Sequence, residues 1–183
     1  MAEEQSEETK TEARQFMADL VSSPPQSETF TGGDGIDMAS WKATYAAASN
    51  QGMSTVMEKF WPMYNPGAAS IWTMTYDEAD SNENLEDTIA ITTEFMKQTE
   101  SISDDCFGVM HTVGESLDIK GLWIFNGPDP EKLFGVNEET SWFSWSELGP
   151  EANEYVKKAV EEFLTPIDGK LKGETIRDTQ VLG

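Results

Sequence analysis

Apolar residues recur every three or four positions in four segments of the chain, as they do along one face of an amphipathic helix. Each segment is bounded by polar or proline-containing stretches, so four separate helices are predicted. The predicted apolar faces are Met38, Trp41 and Tyr45; Met53, Val56, Met57 and Phe60; Leu85, Ile89, Thr92 and Met96; and Val156, Ala159, Val160 and Phe163.

Capping residues and prolines indicate where these helices begin and end. Pro62 cannot continue the second helix, because it lacks a backbone N–H and clashes with the preceding turn. Asp87 or Thr88 is predicted to cap the third helix. The fourth helix is predicted to open with Pro150 near its first position and Glu151 in the first turn, where a negative charge is favourable.

Four short segments are typical of β-strands in composition and period: SIWTMTY, CFGVMHTV, GLWIF and SWFSWSEL. Turn signals separate them, which favours antiparallel pairing, and ESLDIK is predicted as the hairpin loop between the second and third. The C-terminal segment DGKLKGETIRDTQVLG shows no strong period. We therefore expect an α+β domain, with a curved antiparallel sheet of about five strands and helices packed on its faces.

Residues 1–35 differ from the rest of the chain, because they are rich in Glu, Ser, Thr and Gly and contain few apolar residues. Such a segment buries little surface, so we predict an acidic tail that depends on a partner, followed by one folded domain over residues 36–183. Apolar residues at helical spacing in the tail are a candidate docking segment, and a short helix without a role is the alternative. The candidate partner-binding residues are Phe16, Met17, Leu20, Val21 and Phe30.

The charge of the chain narrows the choice of partners. There are 34 acidic and 12 basic residues, for a net charge of −22. A surface of this sign repels phosphate, which argues against direct nucleic-acid binding and against docking on anionic lipid. We expect protein partners with basic surfaces, and a place in a larger complex.

Cysteine usage and hydropathy indicate the cellular compartment in which the protein is expected. Cys106 is the single cysteine, so no internal disulfide can form. No apolar run approaches the ~20 residues that span a bilayer, and the N-terminal residues lack the pattern of a secretory signal. We expect a cytoplasmic protein without a transmembrane segment, or one inside an organelle if a targeting peptide has been removed.

A search for catalytic and ligand-binding motifs is negative. The chain contains no G-x-G-x-x-G, P-loop, H-E-x-x-H or G-x-S-x-G sequence. Cys106 and His111 are five residues apart in one predicted strand, so their side chains project to opposite faces and cannot form a nucleophile–base pair. These observations predict a protein that is not an enzyme and that holds no cofactor.

The acidic segment before the third helix begins with the spacing of a calcium-binding loop. Asp80, Asn82 and Asn84 stand at the first ligand positions. However, Leu85 replaces the required glycine and Ile91 replaces the bidentate glutamate, so we expect no calcium site.

Six tryptophans are a large number for a chain of 183 residues. Core packing is the simplest interpretation, and exposed binding anchors are the alternative. Trp142 and Trp145 are three residues apart, so they should face opposite sides if SWFSW is a regular strand.

The segment GLWIFNGPDP reads as a strand followed by a turn, and this turn is a candidate for a ligand-binding loop. Both faces of the strand begin apolar, as in a strand covered on both sides. Asn126 and Gly127 supply a permissive backbone for leaving the strand, and Pro128 stiffens the exit. Because no helix start is recognised after this turn, we expect no phosphate-binding cradle there.

From about Asp37 to Lys172, the order of elements resembles the C-terminal domain of the gamma subunit of the eukaryotic elongation-factor-one complex. The matching stretches are DMASWKATYAAASN, EKFWPMYNPGAASIWTMTY, CFGVMHTVG, GLWIFNG, SWFSWSELGP and the helix ending in EEFL. The resemblance implies a curved antiparallel sheet with helices, and a scaffold without catalytic residues. The glutathione-transferase-like domain of that family has no counterpart in residues 1–35.

Two functional hypotheses follow. The first is a non-catalytic scaffold or adaptor domain related to the elongation-factor gamma subunit. The alternative is a peripheral, soluble linker or stabilising subunit of another large assembly, organellar or membrane-bound, such as a photosynthetic antenna complex, docked through its acidic N-terminal tail.

Overall fold

A computed structural model describes residues 34–51 and 55–182 of the chain, without the side chains of residues 49–51. The candidate partner-binding residues Phe16, Met17, Leu20, Val21 and Phe30 lie outside the described residues. The boundary between a tail and a folded domain at residue 35 therefore stays a prediction.

Five α-helices and three short 3-10 helices occur in the described residues. The α-helices are α1 Met38–Gln51, α2 Val56–Met63, α3 Leu85–Thr99, α4 Glu131–Val136 and α5 Glu154–Leu164. The 3-10 helices are Ala79–Ser81, Glu100–Ile102 and Glu138–Trp142.

The strands form a single antiparallel arrangement in the order β4-β1-β3-β2-β6-β5. Their bounds are β1 Ala69–Tyr76, β2 Cys106–Val113, β3 Asp118–Asn126, β4 Phe143–Gly149, β5 Lys170–Leu171 and β6 Glu174–Val181. The predicted α+β class with a curved antiparallel sheet is confirmed, with six strands in place of about five.

Helices cover both faces of the sheet, which produces two hydrophobic cores. On one face α1, α2 and α5 pack over alternate strand residues such as Ile71, Phe107 and Ile124. On the other face α3 and α4 pack over the intervening residues, including Met110 and Trp123. This two-sided burial explains why β2 and β3 read as nearly continuous apolar runs in the sequence.

The indole of Trp123 lies flat across a neighbouring strand because that strand carries a glycine. A Cβ atom at Gly108 would come within 2.2 Å of the Trp123 ring, well inside any real contact. Trp123 is fully buried and stacks 6.2 Å from the ring of Phe125. The glycine in CFGVMHTV is therefore required by packing rather than by a turn.

Asn126, at the end of β3, holds the segment that enters α1. Its side chain accepts a hydrogen bond from the Ile36 N–H at 2.8 Å and donates one to the Ile36 carbonyl at 2.9 Å. Gly127 follows with a φ of 128°, as expected for the turn. The expectation that no helix start follows was wrong, because the six-residue helix α4 begins at Glu131.

Two helix boundaries differ from the sequence prediction because asparagines, rather than the expected residues, act as caps. Asn84 caps α3 by accepting a hydrogen bond from the Asp87 N–H, so Asp87 and Thr88 lie inside the helix. Asn153 caps α5 in the same way, and Pro150 lies in a bend before the helix instead of in its first turn.

Pro62 lies inside α2, which contradicts the predicted end before that residue. The helix is short, and Pro62 is its penultimate residue, so few backbone bonds are affected. The Tyr64 N–H still reaches the carbonyl oxygens of Phe60 and Trp61, at 3.1 and 3.2 Å, and closes the last turn.

The C-terminal segment forms the β5–β6 hairpin, which the sequence did not reveal. β6 pairs with β2 through a bulge, and its residues alternate between exposed and half-buried. Most of its side chains are polar, so the period-two burial leaves no hydrophobic pattern to read.

Candidate protein-interaction surface

The single cysteine and the single histidine lie on opposite faces of the sheet, in different cores. Cys106 packs in the core beneath α3 and α4, and burial raises the pKa of its thiol to about 12. His111 lies on the opposite face of β2 and stacks on the ring of Phe163 at 4.7 Å. The structure therefore keeps these two side chains apart, as the spacing predicted.

His111 anchors α5 to the sheet. Its Nε2 lies 2.9 Å from the Phe163 carbonyl oxygen, and its Nδ1 lies 2.8 Å from the Thr179 hydroxyl. A carbonyl can only accept, so Nε2 carries the proton and donates. Burial lowers the pKa of His111, although the Phe163 carbonyl and Asp178 act in the opposite direction.

The residues that resemble a calcium loop have structural roles. Asn82 donates a hydrogen bond from Nδ2 to the Leu117 carbonyl at 2.9 Å, and Asn84 caps α3. Within residues 34–51 and 55–182, no three His, Cys, Asp or Glu side chains are placed to hold a metal ion together.

Some of the tryptophans are fully buried in the cores, and others are half-buried at their edges. Trp41 and Trp123 are fully buried, whereas Trp142 and Trp145 are half-buried against the core beneath α3 and α4. The expectation that Trp142 and Trp145 face opposite sides required SWFSW to be a regular strand, and it is not one, because Trp142 ends a 3-10 helix and only Trp145 belongs to the strand. Trp145 packs on Phe134 at 5.3 Å.

An open groove of about 330 Å³ lies between α5 and the sheet; we call it the α5 groove. Its floor is formed by polar residues of neighbouring strands: Thr73, Thr75, Lys120 and Ser146. Tyr155, Ala159 and Glu162 of α5 form one wall, and the hairpin residues Leu171 and Lys172 close one end. Helices α1 and α2 cover the other end of this sheet face, where the floor becomes apolar.

Two large apolar side chains are exposed beside this groove. Tyr155 is 75% exposed on α5, and Ile167 is 81% exposed in the turn before β5. Ile167 lines a second hollow together with Lys158 and Lys170, and the two hollows share Glu162 and Lys172. Sequence reasoning missed this surface, although Tyr155 stands outside the apolar stripe of α5 and Ile167 follows the proline that ends it.

Charge is distributed unevenly along the described part of the chain. Residues 34–154 contain 22 acidic and five basic residues, whereas residues 155–182 contain five of each. Glu147 illustrates the crowding: its burial and the nearby Asp129 raise the pKa of its carboxyl group. The surface around α5 and the hairpin is thus the least acidic part of a strongly acidic domain.

The fold and its surfaces define an α+β domain with a two-sided core and an open interaction groove. The model of the elongation factor 1 gamma conserved domain matches residues 26–129, more than half of the chain. The chain belongs to this family. The matched region includes α1 to β3, so β4, α5 and the C-terminal hairpin lie beyond it.

Curated relatives agree with the family match. Elongation factor 1-gamma 2 of Oryza sativa subsp. japonica is 27% identical over 135 residues, 71% of this chain and 32% of the relative. Probable elongation factor 1-gamma 2 of Arabidopsis thaliana is 24% identical over 143 residues, 76% of this chain and 34% of the relative. The chain spans about a third of the length of these relatives.

These findings favour the elongation-factor interpretation, and nothing in them supports the alternative of a linker subunit in another assembly. Among the described helices, none has the length and apolar character needed to cross a bilayer.

Proposed function

We propose that this domain is a non-catalytic scaffold or adaptor that binds other proteins, as a relative of the elongation factor 1 gamma subunit. The observation that carries the proposal is the exposure of Tyr155 and Ile167 beside the α5 groove. Exposed aromatic and aliphatic side chains next to a concave surface are typical of protein-binding sites.

Protein partners with basic surfaces suit the charge of the domain. The excess of acidic residues in residues 34–154 attracts positive charge over several ångströms and speeds encounter with a basic partner. The same field disfavours direct contact with nucleic acid. Membership of a translation-factor family supports a search for these partners in the cytoplasm.

Affinity purification tests the proposal most simply. The tagged full-length chain should recover subunits of the elongation factor 1 complex from its native cells, with less recovery as ionic strength rises. The double variant Tyr155→Ser, Ile167→Ser should recover less, and Ser101→Ala, at an exposed site in the 3-10 helix Glu100–Ile102, is the matched control. Recovery of an unrelated assembly alone would show that the proposal is wrong.

A further inference from the structure

β4 is the outermost strand at one end of the sheet. In the part of the chain that the structure describes, β4 pairs with β1 and with no other strand. Its outer side therefore presents backbone N–H and C=O groups without a strand partner, a template on which another extended chain can pair.

The register shows which backbone groups point outward. The Asp77 N–H donates to the Trp142 carbonyl at 2.9 Å, one step beyond the paired residues Tyr76 and Phe143. Hydrogen-bonded pairs alternate along an antiparallel ladder, so the next such pairs inside it contain Ser144 and Ser146. The intervening residues have their N–H and C=O groups directed away from β1: Phe143, Trp145 and Glu147. The Phe143 N–H already donates to the Thr140 carbonyl, so Trp145 and Glu147 supply the outward N–H groups.

A second hydrogen bond supports this alternation independently. The Gly127 N–H donates to the Ala68 carbonyl at 2.9 Å, which assigns the even-numbered residues of β1 to β3. Its odd-numbered residues Thr73 and Thr75 then bond to β4, opposite Ser146 and Ser144. We call the outward groups of Trp145 and Glu147 the β4 edge.

The β4 edge is acidic. Residues 133–156 contain five acidic residues and no lysine or arginine. Glu147 lies on the strand, where its partial burial and, second, the nearby Asp129 raise the pKa of its carboxyl group. Asp77 accepts a hydrogen bond from the Ser144 hydroxyl at 2.5 Å. A strand that pairs here meets the carboxylate of Glu147 and the acidic residues that flank β4 in the sequence.

The negative charge around the β4 edge determines which extended chains are suited to pair with it. A second copy of the chain would bring Glu147 against like charge, which is destabilising for directly opposed residues. Residues 1–33 contain seven acidic and two basic residues, so they are poorly matched as well. A basic strand gains both backbone hydrogen bonds and favourable charge pairs.

We propose that an extended, basic segment of a partner protein adds to the β4 edge as a seventh strand. The inference rests on the proposed function and specifies the partner surface. Alternate side chains of the added strand project toward the α5 groove, which Ser146 and Leu148 line beside β4. The others project toward the side of Trp145 and Phe134.

A synthetic peptide of alternating lysine and valine tests the inference on the full-length protein. We expect it to bind, to bind more weakly as salt rises, and to bind better than its glutamate–valine counterpart. Methylation of its alternate backbone nitrogens on the pairing side should abolish binding, while methylation of the other set should not.

Charge variants at the two ends of the sheet provide matched controls. Glu147→Lys should weaken peptide binding at least about tenfold, because it converts an attractive contact into a repulsive one. Arg177→Gln, on exposed β6 at the opposite end, should leave peptide affinity unchanged. Far-ultraviolet circular dichroism should be the same for both variants.

The results separate this inference from the proposed function. Equal binding of the acidic peptide, indifference to backbone methylation, or an unchanged affinity of Glu147→Lys would each overturn the β4 edge as the site. Selective binding that follows the predicted pattern would support it, even if elongation factor subunits were absent from the affinity purification.

Discussion

The two ends of the sheet are protected in different ways. At one end, β6 pairs on its inner side with β2 and is covered over part of its outer side by β5, the two-residue strand that precedes it in the hairpin. It also carries Arg177 near a bulge in its pairing with β2. At the opposite end, β4 has neither a covering strand in the described residues nor a basic side chain.

Bulges, basic side chains and covering segments are common means of preventing unwanted strand pairing. β6 has all three, so it is expected to be closed to partners. β4 has only the carboxylate of Glu147, which opposes pairing with another acidic chain but favours pairing with a basic one. The comparison indicates that one end of the sheet completes the fold while the other is available for binding.

Proline substitutions at adjacent β4 residues should give the largest contrast. Ser146→Pro removes an N–H that bonds to β1 and leaves the Thr73 carbonyl unpaired, so it should lower the free energy of unfolding by about 1–3 kcal/mol. Glu147→Pro removes an outward N–H, which edge strands tolerate, and should cost less. Urea denaturation at neutral pH measures both.

Ser146→Ala and Glu147→Ala are the controls, because they change the side chains and keep both N–H groups. If Glu147→Pro were as destabilising as Ser146→Pro after these corrections, the assignment of outward groups on β4 would be wrong.

The β6 end of the sheet should be sensitive to pH through His111. Burial lowers the pKa of its imidazole below the ordinary 6.5, so the unfolded chain binds the proton more readily than the folded one. Stability from this group is complete above pH 6.5 and is lost as the pH falls below it, by at most about 1.4 kcal/mol per pH unit.

The variant His111→Gln isolates this contribution, since Gln can still donate to the Phe163 carbonyl but does not titrate. The variant leaves the neighbouring charged groups unchanged, so their titration is common to both proteins. These groups are Lys120 across the strand pair, Asp178, Asp118 and Glu147. Urea denaturation from pH 7 to pH 5 should show a steeper loss for the wild type than for the variant. Parallel curves would contradict the role given to His111.

The smallest expected effect is on self-association. Replacing the carboxylate on the outer strand, in Glu147→Val, removes the repulsion between two β4 edges and should permit weak dimers at high protein concentration. Sedimentation equilibrium measures it, and Thr175→Val, on exposed β6, should remain monomeric to the same extent as the wild type. Equal association of all three proteins would show that charge repulsion is not what prevents two β4 edges from pairing.

Hydrophobic period predicted the longer elements that are buried on at least one face, but not the six-residue helix α4. The sequence identified the helices around Trp41, Phe60, Phe95 and Val160, because each packs a continuous apolar stripe on the sheet. β6 was missed, since pairing with β2 is specified by backbone geometry and polar side chains rather than by apolar alternation. The boundaries at Asn84 and Asn153 depend on which polar side chain accepts a hydrogen bond from the first turn of the helix, a choice that the sequence leaves open where several such residues are close together.

The candidate site was less predictable than the fold. The pairing of Cys106 and His111 could be rejected from strand parity alone. The α5 groove could not be predicted, because its floor combines residues of three strands and its wall belongs to a helix distant in sequence. The β4 edge likewise depends on strand order, which no local pattern in SWFSWSEL encodes.

Residue-resolved amide hydrogen exchange of the free, full-length protein tests the open β4 edge most directly. The amides of Ser144 and Ser146 should be protected, and those of Trp145 and Glu147 should exchange much faster, since only the first set bonds to β1. Both sets of amides in central β2 should be protected. Uniform protection along β4 would show that its edge is covered in the free protein, and would contradict the account.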